Sequence, residues 1–211
     1  MADVLLSAFG DKIFSAEDFE KLSEFPSPNF LKEKILIKSK INEDEHVLSK
    51  QSKLGKLCCL VPAHFSGYEE ENYRLNQVIS MPFSKFKKVS ENNIDLMRKL
   101  TRRNLVRVYP DGQNINSGNF NPAFVWANGA QIAALNYQTA GKFMGLNQGN
   151  FFVNGFCGYV IKSAILLNDQ KPTEKIRSLN MEIISAAYLP KIETEIVDPY
   201  VVVELFGLNH V

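Results

Sequence analysis

The sequence predicts an α/β fold of the barrel type, and three observations carry that expectation. Strand-like apolar stretches alternate with helix-like ones along most of the chain, the pattern that places helices over a parallel sheet. Residues 105–109 alternate apolar with other side chains, and Pro110-Asp111-Gly112 then breaks the run, because Pro fixes φ and Gly supplies a tight turn. Arg107 and Tyr109 lie two apart, so on a strand both point to one face just before that turn. Barrel proteins place their chemistry at such C-terminal strand ends. A cation beside an aromatic ring there suits an anionic, ring-shaped ligand.

The elements follow in order. Residues 2–9 are apolar with a helical spacing, and Gly10 ends them. Ser15-Ala16-Glu17-Asp18 has the form of a capping box. Pro26 and Pro28 punctuate the chain, and residues 34–38 read as a buried strand. Residues 41–55 are polar and charged and read as a linker, with Glu43, Asp44 and Glu45 its acidic cluster. Strands are expected at 57–61 and 76–81, with Cys58 and Cys59 as packing residues. Ser90 is placed as the N-cap of a helix running through Arg103, with Ile94, Met97 and Leu100 on one stripe. Arg98, Lys99, Arg102 and Arg103 gather at its C-terminal end, where cations suit the macrodipole. Asn114, Asn116, Ser117, Gly118, Asn119, Asn121 and Pro122 are loop chemistry. Residues 130–137 and 157–162 are further strand candidates. Pro172 lies in a polar hinge, residues 179–185 then alternate as a strand, and residues 201–206 read as another strand.

Composition narrows the function class. The net charge of +1 provides no bulk positive field, so no nucleic-acid partner is expected. The three cysteines, Cys58, Cys59 and Cys157, have no metal-ligand spacing and form no even disulfide framework. A reduced, cytoplasmic setting follows. No stretch reaches the roughly 18 apolar residues that span a bilayer, and the first residues lack the basic-then-apolar form of a signal peptide.

A family resemblance rests on many ordered positions. These are Arg107-Val108-Tyr109-Pro110, Ser117, Asn119-Phe120-Asn121-Pro122, Trp126, Gly129, Gln131, residues 134–139, Asn154-Gly155 and Cys157-Gly158-Tyr159. In this order they resemble the Y half of the phosphoinositide-specific phospholipase C barrel. Pro26-Ser27-Pro28, Leu31-Lys32 and residues 34–40 resemble the end of its X half. Residues 179–211 resemble the opening of a C2 domain, a calcium- and lipid-binding β-sandwich. The implied fold is therefore a partial TIM-like (β/α) barrel followed by the first strands of a C2 sandwich. The implied division is 1–40 X half, 41–55 linker, 56–168 Y half, 169–178 hinge and 179–211 truncated C2 domain.

The resemblance also implies chemistry. In the family, two lysines at the end of the X half reach phosphates of the inositol headgroup, and they fall on Lys38 and Lys40. Arg107 and Tyr109 take their places as headgroup contacts. A serine commonly precedes the Phe that is Phe83 here and touches a phosphate, but this chain has Pro82, which cannot donate a hydrogen bond. Ser84 is taken as its substitute. Ile196 and Asp198 match a C2-type calcium site.

Hydrolysis in the family needs a histidine to activate the inositol hydroxyl and calcium to neutralise phosphoryl charge. Those groups lie in the X half, upstream of the matched segment. His46, His64 and His210 stand in no matching motif, so no catalytic residue is assigned in this chain. The resemblance implies part of an enzyme that cleaves phosphatidylinositol 4,5-bisphosphate to diacylglycerol and inositol 1,4,5-trisphosphate at a peripheral membrane surface. This chain would supply headgroup recognition and be inactive alone, with the missing X half of the barrel as its partner. The alternative is a catalytically silent phospholipase C-like binding or scaffold protein.

Overall fold

The computed structural model describes residues 1–40, 52–112, 116–168, 178–189 and 199–206. Its centre is a parallel four-stranded sheet in which sequence neighbours are also spatial neighbours. The strands are β1 (Val61–His64), β2 (Gln77–Pro82), β3 (Val106–Tyr109) and β4 (Ile132–Ala133). Isolated parallel bridges, Lys38 to Leu60 and Ile13 to Ile35, carry the same direction toward the N-terminus. Parallel pairing in this sequential order is barrel geometry.

Around the sheet lie α1 (Ala2–Phe9), α2 (Ala16–Glu20), α3 (Lys53–Leu57), α4 (Phe83–Asn92), α5 (Ile94–Arg103), α6 (Pro122–Ala127), α7 (Lys142–Phe152) and α8 (Ala164–Asn168). The two faces of the sheet pack differently. Ile79, Met81, Val106 and Val108 join Phe86, Met97, Leu100 and Val125 in one core under the helices. Leu60 and Val78, with partly buried Leu36 and Leu105, form a second core with Phe14 and Phe19. Alternation along each strand makes this separation, since successive side chains point to opposite faces.

Local chemistry explains several boundaries. At Ser15 and Asp18 the capping box is complete: the serine hydroxyl accepts from the Asp18 amide at 3.1 Å, and the Asp18 carboxylate accepts from the Ser15 amide at 3.0 Å. The expected strand at 57–61 is displaced toward the C-terminus. Ser52 accepts from the Gly55 amide and opens α3, which takes Leu57, so β1 begins at Val61. The single helix expected from Ser90 to Arg103 is two helices. Ser90 is buried inside α4, while Asn93, extended at φ −156°, ends α4 and caps α5 by accepting from the Leu96 amide.

Two expected strands of the barrel portion shrink or vanish. Only Ile132–Ala133 of 130–137 pairs. Residues 157–162 form no strand. Gly155, Phe156 and Gly158 all take positive φ just before or within that stretch, which an extended strand does not tolerate. Lys162 instead reaches the Thr101 carbonyl at 2.6 Å. Burial, and then the Arg102 charge, push its ammonium down to about 8. The strands expected at 179–185 and 201–206 are also absent. Their residues have no regular structure, and Ile184 is 89% exposed. Alternation marks the face a strand would bury, but a strand needs a paired neighbour, and none lies beside these segments among the described residues.

Candidate headgroup-binding site

The site is built by register. His64 of β1 pairs with Ser80 of β2, and Ser80 pairs with Arg107 of β3. Paired residues in a parallel sheet project to the same face, so His64, Ser80 and Arg107 form one row. Pro82 and Tyr109 form the next row toward the strand ends. The opposite face is spoken for, because Ala63, Met81 and Val108 pack under the helices. The polar row therefore stands above the apolar second core, at the C-terminal end of the sheet.

Arg107 and Tyr109 meet as expected. The guanidinium carbon lies 5.2 Å from the centre of the Tyr109 ring, a cation–π contact that holds the arginine over the aromatic face. Lys38 belongs to the same electrostatic neighbourhood. It is exposed overall, but partial desolvation and, second, the Arg107 charge push its ammonium below the usual lysine range. Lys40 lines a cavity of about 710 Å³ with His64, Ser80 and Arg74, over an apolar wall that includes Phe19 and Leu22.

Ser84 follows the end of β2 and faces Asp111. Its hydroxyl donates to Asp111 Oδ1 at 2.5 Å, and its amide lies 3.2 and 3.3 Å from the two carboxylate oxygens. Asp111 thus satisfies the first turn of α4, whose N-cap is Pro82 and makes no side-chain cap. Ser84 is engaged by the protein itself. Ser80 is the freer hydroxyl, since its contact to the Val78 carbonyl is long at 3.5 Å. Neither His64 nor Ser80 is assigned a ligand contact from sequence. The misplaced 57–61 strand left His64 outside any strand, and register between strands has no local signature.

Many residues that carried the family resemblance are scaffold. The Asn119 amide group donates to the Asn136 and Thr139 carbonyls, and the Asn136 side chain donates to Ser117 and Gly118. Gln131 accepts from the Val106 amide and donates to the Thr101 and Asn104 carbonyls. Trp126 packs edge-on against Phe151 at 6.0 Å. These contacts hold β3 and its following loop in place, and so position Arg107 and Tyr109.

Comparison with known proteins agrees with this geometry. Residues 52–165 match the model of the phosphatidylinositol-specific phospholipase C Y domain, and residues 1–41 match that of its X domain. This chain belongs to the phosphatidylinositol-specific phospholipase C family. It is 32% identical, over 262 aligned residues, to 1-phosphatidylinositol 4,5-bisphosphate phosphodiesterase delta-3-A of Danio rerio, covering 99% of this chain and 33% of that protein. It is 30% identical to the inactive phospholipase C-like protein 2 of Mus musculus, covering 99% of this chain and 23% of that one. The crystal structure of L. pealei PLC21 superposes with a TM-score of 0.64 at 25% identity, over 78% of this chain and 24% of that structure. The chain thus spans about a third or less of the length of the curated relatives it matches.

Among the described residues no three His, Cys, Asp or Glu side chains gather where they could hold a metal ion. Ile196 and Asp198, the C2-type candidates, lie outside the described residues. Among the described residues, no helix is long and apolar enough to cross a membrane.

Proposed function

We propose that this chain supplies the headgroup-recognition half of a phosphoinositide phospholipase C acting on phosphatidylinositol 4,5-bisphosphate. The observation that supports it most is the pairing of Arg107 with Tyr109 on one strand face, with Lys38 close enough for its charge to be felt. A phosphorylated inositol ring matches that set. Its phosphates take charge-assisted hydrogen bonds from Arg107, Lys38 and Lys40, and its ring lies against Tyr109. The Danio rerio relative is named for cleaving this lipid.

The reading assigns no catalytic residue to this chain. Proton transfer and calcium chemistry belong to an X-half polypeptide that completes the barrel, with the division into X end, linker, Y half and C2 opening as given above. Calcium, a C2-type site at Ile196 and Asp198, a cytoplasmic location and peripheral attachment to a phosphoinositide-bearing membrane are parts of the same proposal.

Vesicle co-sedimentation tests the core of it. Phosphatidylcholine vesicles containing phosphatidylinositol 4,5-bisphosphate should retain the chain, and Arg107→Ala should weaken retention by about tenfold to a hundredfold, the worth of one charge-assisted contact. Lys87→Ala is the control, because Lys87 is exposed on α4 and faces Glu91. Equal losses in the two variants would refute Arg107 as a headgroup contact. Arg102 is the poorer control: its Nε donates to the Leu166 carbonyl at 2.7 Å, so it holds α8 rather than facing water.

A further inference from the structure

We infer that His64 is a further phosphate-binding residue of this site. This rests on the headgroup reading above and adds to it a residue. The geometry is the register row. His64, Ser80 and Arg107 lie at one level on three adjacent parallel strands. Neighbouring strands run about 4.8 Å apart, so the His64 and Arg107 backbones are separated by roughly twice that distance. Their side chains rise from one face of the sheet across a gap of that width. The Ser80 hydroxyl lies between them and has only its long 3.5 Å contact to the Val78 carbonyl. One row higher, Pro82 offers no donor. The donors of this chain therefore lie one level deeper, in the row that His64 completes.

His64 is available for this role. Its ring is exposed, and among the described residues no hydrogen bond or ion pair engages it. The cavity it lines with Lys40 and Ser80 opens beside the row. Lys40 from the segment before β1 and Arg74 from the approach to β2 line the same cavity, with Glu20 of α2 its one carboxylate.

The test compares the full chain with H64A, H64K and the exposed control K87A. Two ligands are used: soluble inositol 1,4,5-trisphosphate, and phosphatidylcholine vesicles with and without phosphatidylinositol 4,5-bisphosphate. H64A should lose about tenfold in affinity, the worth of one hydrogen-bonded contact, while H64K, which keeps a donor there, should bind at least as well as the wild-type chain and K87A should bind as the wild-type chain does. The same loss should appear for the free trisphosphate, because the contact is to phosphate. Equal affinities in wild type and H64A would overturn the inference alone. So would a loss confined to vesicles, which would mark general attraction to a surface. Failure of the wild-type chain to bind either ligand would overturn both the inference and the headgroup reading beneath it.

Discussion

Two runs of β-branched residues in this molecule have opposite fates. Val106 and Val108 of β3 are fully buried, whereas Val201, Val202 and Val203 are 60%, 68% and 51% exposed and form no strand. Their intrinsic β propensity is the same. The difference is company. β3 has β2 on one side, β4 on the other, and α4 packed against it. Among the described residues, 199–206 have no paired strand, and Lys142 contacts Glu204 and Phe206. The comparison teaches that a strand-like pattern is a statement about a surface to be covered, and that covering is supplied by neighbours far away in sequence.

The largest expected effect would break this comparison or confirm it. Phe86 is fully buried in the core between α4 and the sheet, while Ile184 is 89% exposed. Phe86→Ala should cost about 3–5 kcal/mol through lost burial and the cavity left behind. Ile184→Ala should change stability by no more than about 0.5 kcal/mol. Urea unfolding of both variants decides the matter. A cost above about 2 kcal/mol for Ile184→Ala, the scale of burying a large apolar side chain, would show that the C-terminal segment packs after all.

A smaller effect sharpens the picture at one backbone position. Gly129 takes φ +90°, and a Cβ there would fall 2.3 Å from the Thr101 hydroxyl. That hydroxyl already donates to the Arg98 carbonyl at the end of α5. Gly129→Ala should cost about 1–3 kcal/mol, the strain of a residue held in a disfavoured region. Thermal unfolding checks it, and an unchanged midpoint would mean the α6–β4 turn relaxes freely. Gly112 is the contrast, because a Cβ there meets nothing within 4 Å.

How legible the molecule was follows the same division. Contacts within a few residues could be read: the Ser15–Asp18 box forms as written, and β3 lies within one residue of its expected span. Arg107 and Tyr109 were legible because their spacing alone puts them on one face. Contacts across the fold could not be read. Ser84 is taken by Asp111, which lies 27 residues further along the chain. His64 joins Arg107 only through two strand pairings. The apolar, β-branched run at 201–206 was real, but it could not say whether a second sheet stands opposite. Even the family resemblance drew on both kinds, since Asn119, Gln131 and Asn136 are remembered by the sequence for the loop they tie rather than for any ligand they hold.

The smallest effect concerns the link between the two regions. Lys142, at the start of α7, lies 2.6 Å from the Glu204 carboxylate and 4.9 Å from the centre of the Phe206 ring. Both partners of the ion pair are about half exposed, at 49% and 48%. Exposed pairs of this kind contribute roughly 0–1 kcal/mol, and salt screens them further. Lys142→Ala should therefore leave global unfolding within about 0.5 kcal/mol of the parent. It should nonetheless raise the rate at which a protease cleaves within 199–206, because local opening there is governed by this contact and not by the core. Added salt should raise the parent's cleavage rate toward that of the variant. If the variant instead unfolds globally at markedly lower denaturant, the C-terminal segment is part of the cooperative unit, and the contrast between the two runs of valines is one of exposure but not of stability.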